Sequence, residues 1–291
     1  MNTKIDIPQL AWIAEHLPDL RSKPVVIKVG GSIQDDPAAM RSLMHQVALL
    51  SELGVTPAVI HGGGKAISAA MKTAGLTPRF VQGQRYTDEE TLHIAERVLV
   101  HEVNRELMQA VQERGAQARG LHSLGLCVLR ARRVIEPDLG LVGRVGEVDA
   151  PVVAALCAAG IVPIIGPVAI DAARDGGKLN VNADLAAGEV AFALGAGTLL
   201  MVSDTPGIRT SAAPEVWAQR LSRDDLSRLR ATGIIDGGML PKVEACLRAL
   251  DAGARRVLII DGRAPDAIVR TLLLEEPGSL SPASPGTRIV E

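Results

Sequence analysis

The chain is punctuated by short, continuously apolar runs with strand character: Pro24 to Val29, Thr56 to Ile60, Ile161 to Ile170, Thr198 to Val202 and Arg255 to Ile260. None alternates apolar with polar, as expected of parallel strands covered on both faces. Between them the apolar positions recur at helical spacing. Ala38 to Leu53 stops at Gly54, and Ala66 to Ala74 stops at Gly75, both in the place of a C′ glycine. Thr87-Asp88-Glu89-Glu90 reads as a capping box with Thr87 as N-cap and Glu90 at N3. The helix it opens carries Leu92, Ala95, Leu99, Val103 and Leu107 on one face and ends near Gly115. His93, Arg97 and His101 share another face, which reads as solvated. Further helices are expected over Ala183 to Leu194, after Ser222 as N-cap, and over Leu240 to Ala252; Thr287 to Val290 reads as a short final strand.

Strand–helix alternation with right-handed crossovers predicts a three-layer αβα sandwich around a mainly parallel sheet. Ahead of the first strand, Leu10, Ile13, Ala14 and Leu17 form an apolar stripe that either covers the domain or meets another subunit. The stretch from Glu275 to Gly286 is rich in Pro, Ser and Gly and reads as an irregular loop.

Composition narrows the picture. Of 291 residues 47% are hydrophobic but only 2% aromatic, so the core is aliphatic and the stacking platforms of single-strand nucleic-acid binding are missing. A net charge of −2 with both signs interspersed leaves no basic footprint for nucleic acid. Cys127, Cys157 and Cys246 are odd in number and far apart, and read as small buried hydrophobes rather than disulfide or metal partners. The N-terminal residues lack the apolar segment of a signal peptide, and no run reaches the length of a membrane span. A cytoplasmic enzyme acting on small molecules is expected.

The chemistry gathers at glycine-rich strand ends. His61-Gly62-Gly63-Gly64-Lys65 joins a strand to a helix, where three glycines leave backbone N–H groups open to an anion. Lys65 there opposes the helix dipole, which suggests a bound anion. Lys28 interrupts a buried apolar strand and precedes Gly30-Gly31 at its carboxyl end, the edge where open α/β sheets bind ligands. Asp236-Gly237-Gly238-Met239-Leu240-Pro241-Lys242 repeats the pattern; taken alone, Lys242 fits a solvated lysine as well as an anion ligand. Asp184, after Asn180-Val181-Asn182, fits a residue complementing a helix N-terminus, or an acid holding two lysines. Arg85 suits bidentate grip of a carboxylate, or a surface position. Three lysines at glycine-flanked junctions point together to a polyphosphate. A Walker A loop is excluded, because Val59 stands where its first glycine belongs and Ala66 follows the lysine. A dinucleotide fingerprint and a G-x-S-x-G nucleophile elbow are also missing from the sequence.

In order along the chain, Lys28-Val29-Gly30-Gly31-Ser32, His61-Gly62-Gly63-Gly64, Gly83 to Thr91, Asn180 to Asp184, Ser203-Asp204-Thr205-Pro206-Gly207-Ile208, Gly238 to Lys242 and Gly286 to Ile289 resemble the amino acid kinase family, in its acetylglutamate kinase branch. The resemblance implies the carbamate kinase-like fold and phosphorylation of the side-chain carboxylate of N-acetyl-L-glutamate by ATP, with Mg2+ held mainly by the nucleotide and no protein metal site. It implies an N-terminal helical extension over residues 1–23, an acyl-amino-acid-binding lobe over 24–195 and an ATP-binding lobe over 196–291. By the same resemblance Lys28 and Lys242 neutralise the transferring phosphoryl group and Asp184 orients both. Gly63 and Gly64 meet the reacting groups, and Arg85 and Asn180 hold the substrate's α-carboxylate end. Gly30, Gly31, Ser203, Asp204, Gly207, Ile234 and Asp236 contact the nucleotide. Lys65 falls at a position that varies in the family and receives no role. Residues 1–23 resemble the extra helix of hexameric members, so a homo-oligomer, a dimer or a hexamer built of dimers, is expected. Two departures stand out. His122-Ser123-Leu124-Gly125-Leu126 lacks the acid of the family's segment, which leaves open another N-acylated substrate such as N-acetylaminoadipate, or a non-catalytic ligand sensor. The Pro-rich approach to Gly286 argues against inhibition by arginine.

Overall fold

The apolar runs become the centre of one sheet in the computed structural model, which describes residues 6–30, 33, 36–211, 216–274 and 286–291. Strand β1 (Val25–Val29) lies between β2 (Pro57–His61) and β11 (Thr198–Ser203), parallel to both. Outward from β2 come β8 (Ile161–Ile165) and β5 (Gln117–Leu121); outward from β11 come β13 (Arg256–Asp261), β14 (Gly286–Val290) and β12 (Arg220–Ser222). The β13–β14 pair is antiparallel, and the other pairs of this eight-stranded sheet are parallel.

Both faces of the sheet are covered, which explains the continuous apolar runs. Side chains alternate across β1: Val25, Ile27 and Val29 enter one core with Leu43, Met44 and Val47 of α2 (Pro37–Glu52), and Val26 enters the other. That second core includes Ala186, Ala187 and Val190 of α7 (Ala183–Ala193) and Ala245, Cys246 and Ala249 of α9 (Met239–Asp251). Lys28 has the parity of Val26, so it projects to the α7 side. Helices α7 and α9 cross closely: a Cβ on Gly188 would stand 2.7 Å from the Ala245 Cα. Gly54 and Gly75 sit at φ +77° and +79° just past their helices, as C′ positions require.

The structure differs from the sequence reading in four places. The run Ile161 to Ile170 is two strands, β8 and β9 (Val168–Asp171), divided at Gly166-Pro167. Strand β9 leaves the main sheet for a closed four-stranded ring with β6 (Leu129–Arg133), β7 (Val142–Val148) and β10 (Lys178–Val181). The N-cap of α4 (Glu89–Arg97) is Asp88, whose carboxylate accepts from Thr91 N at 2.8 Å. Thr87 is fully buried instead, donating its hydroxyl to Arg85 O at 3.2 Å. The long helix is continuous but changes winding: α4 passes into a π-helical segment, Val98–Asn104, and then α5 (Arg105–Gln112). His93, Arg97 and His101 are exposed as expected.

Helix α1 (Ile7–Arg21) buries Leu20 and lays Ile13 and Leu17 on the core, while Ile7 and Leu10 stand exposed. Cys157 and Cys246 are buried, Cys127 partly so, and all three thiols are free. Among the described residues no helix is long and apolar enough to cross a membrane. The segment 275–285 lies outside the described residues.

Candidate active site

Three lobes of sequence meet at the carboxyl ends of β1 and β11. Lys28 Nζ lies 2.7 Å from Asp184 Oδ1, and Lys242 Nζ donates to Asp184 Oδ2 at 3.1 Å. Each group is fixed by its element. Lys28 is the fourth residue of an interior strand and is 5% exposed. Asp184 stands in the first turn of α7, whose N-cap Asn182 accepts from Asp184 N and Leu185 N. Lys242 stands in the first turn of α9. Burial works against the Asp184 carboxylate, yet the two ammonium groups hold its pKa below the ordinary 3.8. Burial pushes Lys28 the other way, below 10.5, with Asp184 opposing the shift. Two cations on one carboxylate leave a net positive charge in a nearly dry place, an arrangement that favours an incoming anion.

Two cavities open on this triad. The first, about 400 Å3, is lined by Lys28, Gly30, Gly62, Gly63, Gly64, Ser68, Arg85, Leu99, Asn180, Asp184 and Lys242, among others. The second, about 340 Å3, is lined by Ser203, Asp204, Thr205, Ile208, Arg209, Trp217, Ile234, Asp236, Gly238, Met239 and Lys242. Lys242 borders both.

In the first cavity α3 (Gly64–Thr73) begins without any side-chain cap, so its N-terminal backbone faces the space with no competing hydroxyl or carboxylate. Arg85 is 8% exposed and donates to Gly64 O and Ser68 Oγ, both at 2.7 Å. Burial lowers its pKa, and among the described residues no acid pairs with it, so its charge remains available to an anion. Asn180 donates to Thr87 Oγ1 at 3.1 Å.

A family model described as "Amino acid kinase family" matches residues 23–261. The chain belongs to the amino acid kinase family. It is 40% identical over 276 residues to an acetylglutamate kinase of Methanothrix thermoacetophila, covering 90% of this chain and 94% of the relative. An acetylglutamate kinase of Cereibacter sphaeroides is 38% identical over 281 residues, covering 94% and 93%. Among solved structures, an N-acetylglutamate synthase from Neisseria gonorrhoeae superposes with a TM-score of 0.82 at 21% identity, over 98% of this chain; this chain spans 63% of the length of that one. A carbamate kinase from Giardia lamblia superposes with a TM-score of 0.66 at 16% identity, over 94% of this chain and all of that one. At these identities the two superpositions speak to the fold.

The residues expected to act in this amino acid kinase divide between the cavities. Lys28, Gly63, Gly64, Arg85, Asn180, Asp184 and Lys242 line the first. Ser203, Asp204, Ile234 and Asp236 line the second, again with Lys242. Two of the expected nucleotide contacts stand elsewhere. Gly30 lines the first cavity, where a Cβ would fall 2.2 Å from Lys28 Nζ; its bareness makes room for that ammonium. Gly207, at φ +126°, packs on β14, where a Cβ would strike Thr287 Oγ1 at 2.3 Å. Gly31 lies outside the described residues. Gly63 and Gly64 also separate: a Cβ on Gly63 would meet Leu99 Cδ2 at 2.5 Å, whereas Gly64 faces open space.

The sequence reading, which places Asp204 to Arg209 at the nucleotide, missed Trp217, whose indole centroid lies 5.3 Å from the Arg209 guanidinium across a bridge. The signal available was the rarity of tryptophan, two in 291 residues. It also found no acid near His122 to Leu126. The structure supplies Glu96 from α4, which accepts from Ser123 Oγ at 2.5 Å and from Lys178 Nζ at 2.6 Å.

Proposed function

We propose that this amino acid kinase transfers the γ-phosphoryl group of ATP to the side-chain carboxylate of N-acetyl-L-glutamate, giving N-acetylglutamyl 5-phosphate and ADP, as a step of arginine biosynthesis. The observation that carries the reading is the Lys28–Asp184–Lys242 triad at the junction of two cavities. The acetylglutamate kinases that resemble the chain along nearly its whole length supply the substrate.

In this reading a carboxylate oxygen attacks the γ-phosphorus in line, the bond to the β,γ-bridging oxygen breaks, and ADP leaves. The carboxylate is ionised at neutral pH and needs no general base, so the protein's task is positioning and charge stabilisation. Arg85 and Asn180 hold the α-carboxylate end. Backbone N–H groups of Gly63 and Gly64 bond the reacting oxygens. Lys28 and Lys242 spread over the phosphoryl oxygens as charge moves, and Asp184 keeps both at a fixed separation. ATP occupies the second cavity, with Ile208, Trp217, Ile234 and Met239 as the apolar surface for its base. Among the described residues no cluster of three His, Cys, Asp or Glu could cage a metal ion. In this reading Mg2+ would be carried mainly by the nucleotide's phosphates, where it would neutralise phosphate charge. Residues 24–195 then form the acyl-amino-acid lobe and 196–291 the ATP lobe. Exposed Ile7 and Leu10 make α1 the proposed contact between subunits.

ADP release measured side by side with N-acetyl-L-glutamate, L-glutamate, N-acetylaminoadipate and L-aspartate tests the assignment. N-acetyl-L-glutamate should give the highest kcat/KM. Turnover confined to the unacylated amino acids would overturn the reading, and a preference for N-acetylaminoadipate would move it to a longer substrate.

A further inference from the structure

The π-helical segment Val98–Asn104 is wound differently from the helix on either side, and its side chains converge on the glycine turn. A π segment inside an α-helix rotates the residues beyond it around the axis, and such insertions are frequent at functional sites. Here Leu99 and Val103 pack against Gly63. Asn104, at the far end of the segment, is fully buried. Its Nδ2 donates to Ile164 O at 2.9 Å and to His61 Nε2 at 3.1 Å. His61, also fully buried, bonds Gly62 O through Nδ1 at 2.8 Å.

These contacts define one proton arrangement. Asn104 Nδ2 has hydrogens to give and no lone pair to accept with, so His61 Nε2 is the acceptor and Nδ1 carries the hydrogen. His61 Nδ1–H therefore donates to Gly62 O. Burial holds His61 down at about pKa 4, so the ring is neutral at working pH and can fill both roles. A trans peptide unit points its C=O and the next N–H in opposite directions. Turning Gly62 O toward His61 aims the Gly63 N–H the other way, to the side where Gly62, Gly63 and Gly64 line the first cavity.

We propose that Asn104 is a positioning residue, acting through His61 to lock the Gly62–Gly63 peptide so that the Gly63 N–H faces the substrate cavity. The role rests on the kinase reading above, because it supplies that N–H to the reacting oxygens. It makes sense of a further glycine. A Cβ on Gly120 of β5 would stand 2.4 Å from Asn104 Oδ1, so the side chain at position 120 must be hydrogen for Asn104 to sit where it does.

The test combines histidine 15N NMR with kinetics on the wild-type chain, Asn104→Leu and Asn104→Asp. In the wild type His61 shows the Nδ1–H tautomer. Leucine keeps the volume and removes the donor; aspartate keeps volume and polarity but accepts, so the ring must turn its hydrogen to Nε2. Asn104→Asp should shift His61 to Nε2–H and lower kcat about tenfold or more; Asn104→Leu, which removes the donor but offers Nε2 no acceptor, should keep Nδ1–H and lower kcat less, both with the KM for MgATP within about twofold. Wild-type kcat in Asn104→Asp, or lost turnover in that variant with the tautomer unchanged, would overturn the proposal. If Asn104→Leu unfolds, the near-isosteric aspartate variant decides the matter alone. A wild-type chain with the Nδ1–H tautomer but no turnover on N-acetyl-L-glutamate would count against the kinase reading, not against the hydrogen-bond chain.

Discussion

Gly63 and Gly64 are neighbours with opposite reasons for lacking a side chain. Gly63→Ala drives a Cβ to 2.5 Å from Leu99 Cδ2, so it should lower stability by about 1–3 kcal/mol, read as the urea midpoint. Gly64→Ala meets open space inside α3 and should leave the protein as stable or gain about 0.5–1 kcal/mol. Its methyl group would still project where an anion is expected, so kcat/KM should fall on the order of 100-fold. Unchanged kinetics in the stable Gly64→Ala protein would remove this turn from the site. Asp184 makes a second prediction, in pH. Its pKa is lower folded than unfolded, so its stabilisation is present in full above pH 3.8 and is lost as pH falls through the folded value. Asp184→Asn should therefore cost about 3–5 kcal/mol near neutrality, with the gap to wild type closing in acid. Lys28 works at the other end of the scale. In its proposed role it must be charged, and burial holds its pKa below 10.5, so kcat should fall as pH rises through that lowered value.

At the scale of elements, the continuous apolar runs and the C′ glycines were readable because period and punctuation are local properties. The β8–β9 break was not, since Ile161 to Ile165 and Val168 to Ile170 are equally apolar; only the partner strands distinguish main sheet from ring. Choosing between Thr87 and Asp88 as N-cap needed the bridge from Thr87 to Gly140 and the bond from Asn180 to Thr87 Oγ1, which no window of sequence contains. The π segment was invisible for the same reason, because its winding answers to Gly63 and His61, about forty residues away. Helix α1 offers its own test. Leu20 anchors it, while Ile7 and Leu10 stand 81% and 54% exposed. Leu10→Glu should leave kcat unchanged and reduce the sedimentation coefficient if that face joins subunits. An unchanged coefficient would remove α1 from the interface.

For the whole molecule, spacing picks out the lysines and Asp184 only singly, and it takes the family resemblance to join them; in the fold β1, α7 and α9 bring together residues 28, 184 and 242. Trp217 stands only eight residues from Arg209, yet the two become a wall only once the second cavity forms. That wall gives a direct readout. Trp12 lies in α1, so in Trp12→Phe the sole indole is Trp217, and MgATP should change its fluorescence with saturation at the kinetic KM. A flat emission titration in an active protein would place the base elsewhere.

The close crossing of Gly188 and Ala245 has a mechanical consequence. Asp184 lies four residues before Gly188, and Lys242 three before Ala245, so each charge sits about one turn from the point where α7 and α9 touch. A fulcrum moves little while its arms swing. Rotating one helix on the other by about 10° displaces a group one turn away, about 5.4 Å along the axis, by only about 1 Å. Lobes that open and close about this point would keep the Lys242 ammonium within reach of Asp184 through the whole stroke, so the charge bridge is carried along by the motion instead of being rebuilt in each cycle.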